Sequence, residues 1–66
     1  MTLKEAVTAK WVRARTTGYG RLTKGEVYKV VHNATPACKC VFIADDTGCI
    51  HGYNLRNFEN YQYYDL

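Results

Sequence analysis

Sixty-six residues amount to one small domain, and a chain of that length buries only ~60% of the surface its unfolded form exposes. Hydrophobic residues make up 47% of it, including six Tyr, two Phe and one Trp, so a few large rings are expected to fill the interior without disulfide staples. The net charge of +3 is low for tight nonspecific nucleic-acid binding, and no window approaches the ~18 consecutive apolar residues of a membrane span.

Thr2-Leu3-Lys4-Glu5 has the form of a capping box, the Thr hydroxyl and the Glu carboxylate each serving the other's backbone N–H. One helical turn over residues 3–8 is expected, packed through Ala6 and Val7 because so short a helix does not stand alone. From Lys10 to Thr16 the period changes to two, with Val12 and Ala14 on one face and Trp11, Arg13 and Arg15 on the other. That is the first strand. Thr17 to Arg21 forms a two-glycine loop, and Leu22 to Gly25 a turn whose glycine can take a positive φ.

Glu26 to His32 reads as the second strand, ended by Asn33-Ala34-Thr35-Pro36, since proline cannot donate to a ladder. Cys38 to Ala44 is the third, and Asp45-Asp46-Thr47-Gly48 turns it into the fourth, Cys49 to Tyr53, as a hairpin. Residues 54–57 suit one 3₁₀ turn, after which Phe58 to Tyr63 can close a barrel as the fifth strand.

This order of elements resembles a Src-homology-3-type (SH3-like) β-barrel. Leu22-Thr23-Lys24-Gly25-Glu26 is similar to that family's diverging turn, and Gly52-Tyr53-Asn54-Leu55-Arg56-Asn57-Phe58 to its closing segment. The resemblance covers residues 10–62 and implies an all-β, five-stranded barrel over 10–66, preceded by a short segment, 1–9. A narrower likeness is to small barrel proteins of bacteriophages, whose pattern runs Leu-Thr-x-Gly-Lys-x-Tyr-x-Val, Asp-Asp-x-Gly and Arg-Phe-Glu. Here it reads Leu22 to Val30, Asp45 to Gly48 and Arg56-Asn57-Phe58-Glu59, with Glu26 and the extra Asn57 as departures. Peptide-binding members of the larger family hold proline-rich ligands with an acidic loop, a Trp and a Pro in the 3₁₀ turn. This chain has Arg21 in that loop, no Trp near Cys38, and Leu55 in place of the Pro, which disfavours that activity.

Charge is unevenly spread. Residues 1–31 carry seven Lys and Arg against Glu5 and Glu26, while residues 32–66 carry Lys39 and Arg56 against Asp45, Asp46, Glu59 and Asp65. Trp11, Arg13 and Arg15 form the most suggestive stripe: an aromatic ring flanked by guanidiniums can anchor a protein interface or stack on a base. The plain alternative is a Trp covered by the N-terminal turn beside solvated arginines. Tyr19, Arg21 and Tyr53 complete the candidate partner-binding set. The Tyr61-Gln62-Tyr63-Tyr64 tail suits either a wet interface or a sealing strand, and open strand edges could pair with a second copy.

Three cysteines, an odd number, and no basic segment followed by an apolar run imply a reducing cytoplasm, the host's if the protein is phage-encoded. His32, Cys38, Cys40, Cys49 and His51 invite a structural zinc, yet the hairpin separates Cys40 from Cys49 by ~13 Å at strand rise. Cys-x-Cys alternation reads instead as two buried thiols. Cys49 and His51 face the same way as a nucleophile and base would, with no orienting acid apparent. The expectation is thus a non-enzymatic binding module without metal or cofactor; the likeness to bacteriophage barrel proteins implies one that binds and inhibits or redirects a host enzyme or defence complex, a description that an anti-CRISPR or anti-restriction role would fit. A nucleic-acid-binding barrel and a small zinc module are the alternatives.

Overall fold

In the computed structural model of the chain, residues 1–61 are described. They form a short helix, α1 (Leu3–Ala6), and five strands: β1 (Trp11–Ala14), β2 (Val27–His32), β3 (Cys40–Ala44), β4 (Ile50–Asn54) and β5 (Phe58–Tyr61). A 3₁₀ turn, Leu55–Asn57, separates the last two. The strands make one antiparallel sheet in the order β4-β3-β2-β1-β5.

The fifth strand does not close the sheet as expected. β5 pairs with β1, from Trp11 opposite Tyr61 to Ala14 opposite Phe58, leaving β4 and β5 at opposite edges. The sheet is nonetheless bent, because β2 serves two neighbours in succession: residues 27–29 pair with β1, while Val30 and His32 pair with Ile43 and Phe42 of β3. The register shifts between Val30 and His32, and such a bulge twists and bends its strand.

Alternation fixes which side is inside. Val12, Ala14, Tyr28, Val41, Ile43, Tyr53 and Phe58 are buried, joined by Leu22 and Leu55 from the connections. Tyr53 and Phe58 meet edge to face at 6.0 Å. The opposite side of β1 carries Trp11, half-buried, and Arg13, exposed, as its period of two predicts. Across the ladder, Trp11 lies between Tyr61 and Lys29, and Arg13 between Glu59 and Val27.

The capping box forms. The Thr2 N–H donates to Glu5 Oε1 at 2.9 Å and the Glu5 N–H to Thr2 Oγ1 at 3.2 Å. α1 is shorter than the expected turn over 3–8, and only Ala6 of the two proposed packing residues is buried; Val7 is exposed. The reason is the route back to the sheet. Asn33 Nδ2 donates to the Ala6 and Ala9 carbonyls at 3.1 and 2.7 Å, which turns Ala6 and Ala9 inward and Val7 out.

β3 begins at Cys40, two residues later than expected, because Cys38 belongs to a turn. The Thr35 N–H donates to the Cys38 carbonyl at 3.0 Å and the Cys38 N–H to the Thr35 carbonyl at 3.1 Å. Cys38 is therefore exposed and Cys40 half-buried, which corrects the reading of two buried thiols. The expected extension of the last strand to Tyr63, and most of the tyrosine tail, lies outside the described residues.

Candidate functional site

Among the described residues, two regions gather polar side chains. The first is the hairpin turn from β3 to β4, where Asp45 is buried while its neighbour Asp46 is exposed. Asp45 Oδ1 accepts the Thr47 N–H at 3.0 Å and the Thr47 hydroxyl, a side-chain turn that ends the strand. Its Oδ2 accepts the Tyr53 hydroxyl at 2.6 Å and lies 2.6 Å from His51 Nδ1. Burial pushes the Asp45 carboxyl up, but these hydrogen bonds outweigh it and hold the group well below the usual carboxylate range. The same burial, with the adjacent carboxylate, pushes the Tyr53 phenol up to about 12.

Asp46 ties the turn to the loop before β2. Its two oxygens accept the Tyr28 and Thr23 hydroxyls, each at 2.7 Å, and its N–H donates to the Arg21 carbonyl at 2.9 Å. Tyr28 also receives the Thr23 N–H at 3.0 Å. The Leu22-to-Glu26 segment and the Asp-Asp turn, separate in sequence, thus make one polar joint.

Against that joint rests the loop tip. Tyr19 and Gly20 have φ of 60° and 67°, and the Arg21 N–H donates to the Gly18 carbonyl at 3.1 Å, the geometry of a tight turn with two left-handed central residues. Glycine takes that conformation freely, whereas tyrosine is strained in it. The turn lays the exposed Tyr19 ring edge-on against Tyr53 at 5.5 Å and sets the Arg21 guanidinium over the same ring at 5.5 Å. Arg21 Nε is buried without a hydrogen-bond partner, 4.0 Å from Asp45 Oδ2. Of the three residues proposed here, Tyr19 and Arg21 reach solvent, while Tyr53 is 3% exposed and forms the floor beneath them.

The second region is the outer side of β1. Arg13, Ala14, Arg15, Lys24, Gly25 and Glu59 line a shallow groove of about 560 Å³. Arg13 Nε stands 3.4 Å from Glu59 Oε1, with both side chains about half exposed. Among the described residues, no carboxylate pairs with Arg15 or Lys24. Trp11 shares the outer face of β1 with Arg13 but is not part of the groove wall, and Arg15 lies just past the end of β1, which stops at Ala14 short of the expected Thr16.

The hub at Asp45 is hidden in the sequence, where Asp45 to Gly48 reads as a turn and no acid stands beside His51. The fold supplies one in Asp45. The only sequence signal was the alternation of His51 and Tyr53, which aims both at the end of the hairpin. No hydrogen bond joins Cys49 to His51 among the described residues, and Cys49 is exposed, so thiol and imidazole are not assembled as nucleophile and base. Among the described residues, no three His, Cys, Asp or Glu side chains gather closely enough to hold a metal ion, and no helix is long and apolar enough to cross a membrane. Compared with protein families, curated proteins and solved structures, the chain matches none.

Proposed function

We propose that this chain is a non-enzymatic binding module with the architecture of an SH3-like barrel, docking on an acidic surface of another protein. The architectural part is supported by the strand order β4-β3-β2-β1-β5, by the division of β2 between two neighbours, and by the 3₁₀ turn leading into β5. The observation that carries the docking face is the groove beside β1, where Arg15 and Lys24 stand exposed and, among the described residues, no carboxylate pairs with either. Cations left uncompensated on one face steer an acidic partner and fix its register. Tyr19, 58% exposed as a residue and held in a strained turn, supplies a preorganised aromatic contact on a loop.

A sharper form of the reading makes the partner a host enzyme or defence complex occluded by a phage protein. Its support is the likeness of three sequence segments to the phage barrel pattern.

Affinity capture from a bacterial lysate, run in parallel with wild type and Arg15→Glu/Lys24→Glu, tests the docking face. A stoichiometric protein recovered by wild type and lost with the charge reversal is the expected result; equal recovery overturns the proposed face. A labelled oligonucleotide titrated over a salt series decides the rival. Tight binding that falls steeply with salt would transfer the groove to a phosphate backbone.

A further inference from the structure

The two edges of the sheet are not alike. On β5 the Arg15 N–H donates to the Asn57 carbonyl at 2.8 Å, so by alternation Phe58 turns its own N–H and carbonyl away from β1. The Met1 nitrogen donates to that carbonyl at 2.7 Å, and Glu59 places a charge in the strand. β4 has no such guard. From Thr47 to Leu55 there is no Asp, Glu, Lys or Arg, and its ladder with β3 keeps one register from end to end, whereas edge strands are usually protected by charge, proline or a bulge.

The same alternation shows what β4 offers. Bonds from the Asp45 N–H to the Cys49 carbonyl at 3.1 Å and from the Leu55 N–H to the Lys39 carbonyl at 3.4 Å make residues 49, 51, 53 and 55 the ones that face β3. Ile50, Gly52 and Asn54 therefore direct their backbone groups outward, and all three are exposed. Among the described residues only the Asn54 carbonyl has a partner there, Asn57 Nδ2 at 3.1 Å, and it keeps a second lone pair.

The hairpin is also polarised from end to end. Asp46 is exposed at its turn, Lys39 and Arg56 at its open end, and among the described residues none of the three is in an ion pair. Reversing one hairpin against another sets the basic end of each beside the acidic end of the other.

We infer that the β4 edge is where a second copy of this chain docks, the two β4 strands pairing antiparallel about a twofold axis at Gly52. Gly52 then exchanges both hydrogen bonds with the partner's Gly52, and Ile50 with the partner's Asn54, roughly six bonds in all. On the outer face each Ile50, 53% exposed in the single chain, lies diagonal to the partner's Gly52 and within reach of the Phe42 ring that covers it.

Sedimentation of the whole chain over a concentration series, with reductant present to keep the thiols free, tests the pairing together with amide hydrogen exchange. A monomer–dimer equilibrium is expected by ~1 mM, the weak limit of specific association. In the dimer the Ile50, Gly52 and Asn54 amides should exchange at least ~10-fold more slowly than in the dilute monomer. A synthetic chain methylated on the Gly52 nitrogen loses the central N–H, and because that N–H points away from β3 the monomer should melt as before while the dimer weakens about tenfold or more. Arg56→Glu should weaken the dimer severalfold at low salt and less at high salt. A chain still monomeric at the highest concentration, a dimer that slows the β5 amides instead, or one indifferent to the methyl group overturns the assignment. A dimer equally tight with Arg56→Glu at low salt overturns the antiparallel arrangement.

Discussion

The Tyr53 hydroxyl donates to Asp45 Oδ2 across 2.6 Å inside the core, joining the middle of β4 to the end of β3. Phenylalanine at position 53 keeps the ring that packs on Phe58 but removes a hydrogen bond to a charged acceptor. Tyr53→Phe is expected to cost about 1.5–3 kcal/mol, read as a lower urea midpoint with unchanged slope. Asp45→Ala should be worse, since it strands the Tyr53 hydroxyl and the His51 and Thr47 donors together. A smaller loss for Asp45→Ala than for Tyr53→Phe would show that the carboxylate is not the organiser of the turn.

That pair contributes to both pH limbs of stability, alongside the lowered Glu5 on the acid side and the raised Tyr28 on the alkaline side. Asp45 is depressed in the folded state, so its contribution is complete above the unfolded carboxyl pKa of ~3.9 and drains away as pH falls below it. Tyr53 is raised to about 12 against ~10 when unfolded, so stability it supports below pH ~10 is lost as pH climbs toward the folded value. Urea midpoints should therefore decline at both extremes. Asp45→Asn should flatten the acid limb, and Tyr53→Phe the alkaline one. Unaltered limbs in these variants would assign the titration to other groups.

Gly52 is a position of close approach rather than of unusual φ. A Cβ built on it stands 2.8 Å from Phe42 Cε2 and 2.9 Å from Cζ, because the ring lies across its ladder partner on the outer side of the sheet. Gly52→Ala should destabilise by about 1–3 kcal/mol, the usual range for overpacking. In a Phe42→Ala background the same change should cost much less. Additive losses in that double-mutant cycle would exclude the clash as the cause.

Tyr19 separates stability from recognition. Asparagine tolerates the left-handed region better than tyrosine, so Tyr19→Asn relieves strain of roughly 1 kcal/mol while giving up an edge contact worth about 0.5–1.5 kcal/mol. The melting temperature should move by only a few degrees, while capture of the partner falls. A variant that melts normally and still binds fully would remove Tyr19 from the interface.

The strands were legible because each kind of residue obeyed a local rule. Val12 and Ala14 alternate with Trp11 and Arg13, and Asp45 to Gly48 carries the composition of a tight turn. Leu22 to Glu26 likewise announced a turn, and Thr2 with Glu5 a cap. What stayed hidden depended on contacts between distant segments. Asp46 reads as a turn residue until Thr23 and Tyr28 arrive from another part of the chain, and Asp45 reads as solvated until His51 and Tyr53 fold over it. The burial of Val7 and Cys38 failed for the same reason in reverse: alternation assumes that the element continues, and in each case a hydrogen-bonded turn had already redirected the chain. Tyr53 reads in the sequence as a partner-binding ring, whereas the fold buries it beneath Tyr19.

The divided pairing of β2 carries a consequence for the order in which the molecule assembles. The β3–β4 hairpin closes over a four-residue turn and can form early at small entropic cost, whereas the Ala14–Phe58 pairing joins positions near opposite ends of the chain. Between them stands one strand that belongs to both neighbourhoods. Among the described residues β5 pairs only with β1, so its ladder reaches the β3–β4 hairpin solely through β2, and a change that loosens β2 is expected to uncouple the two halves of the sheet.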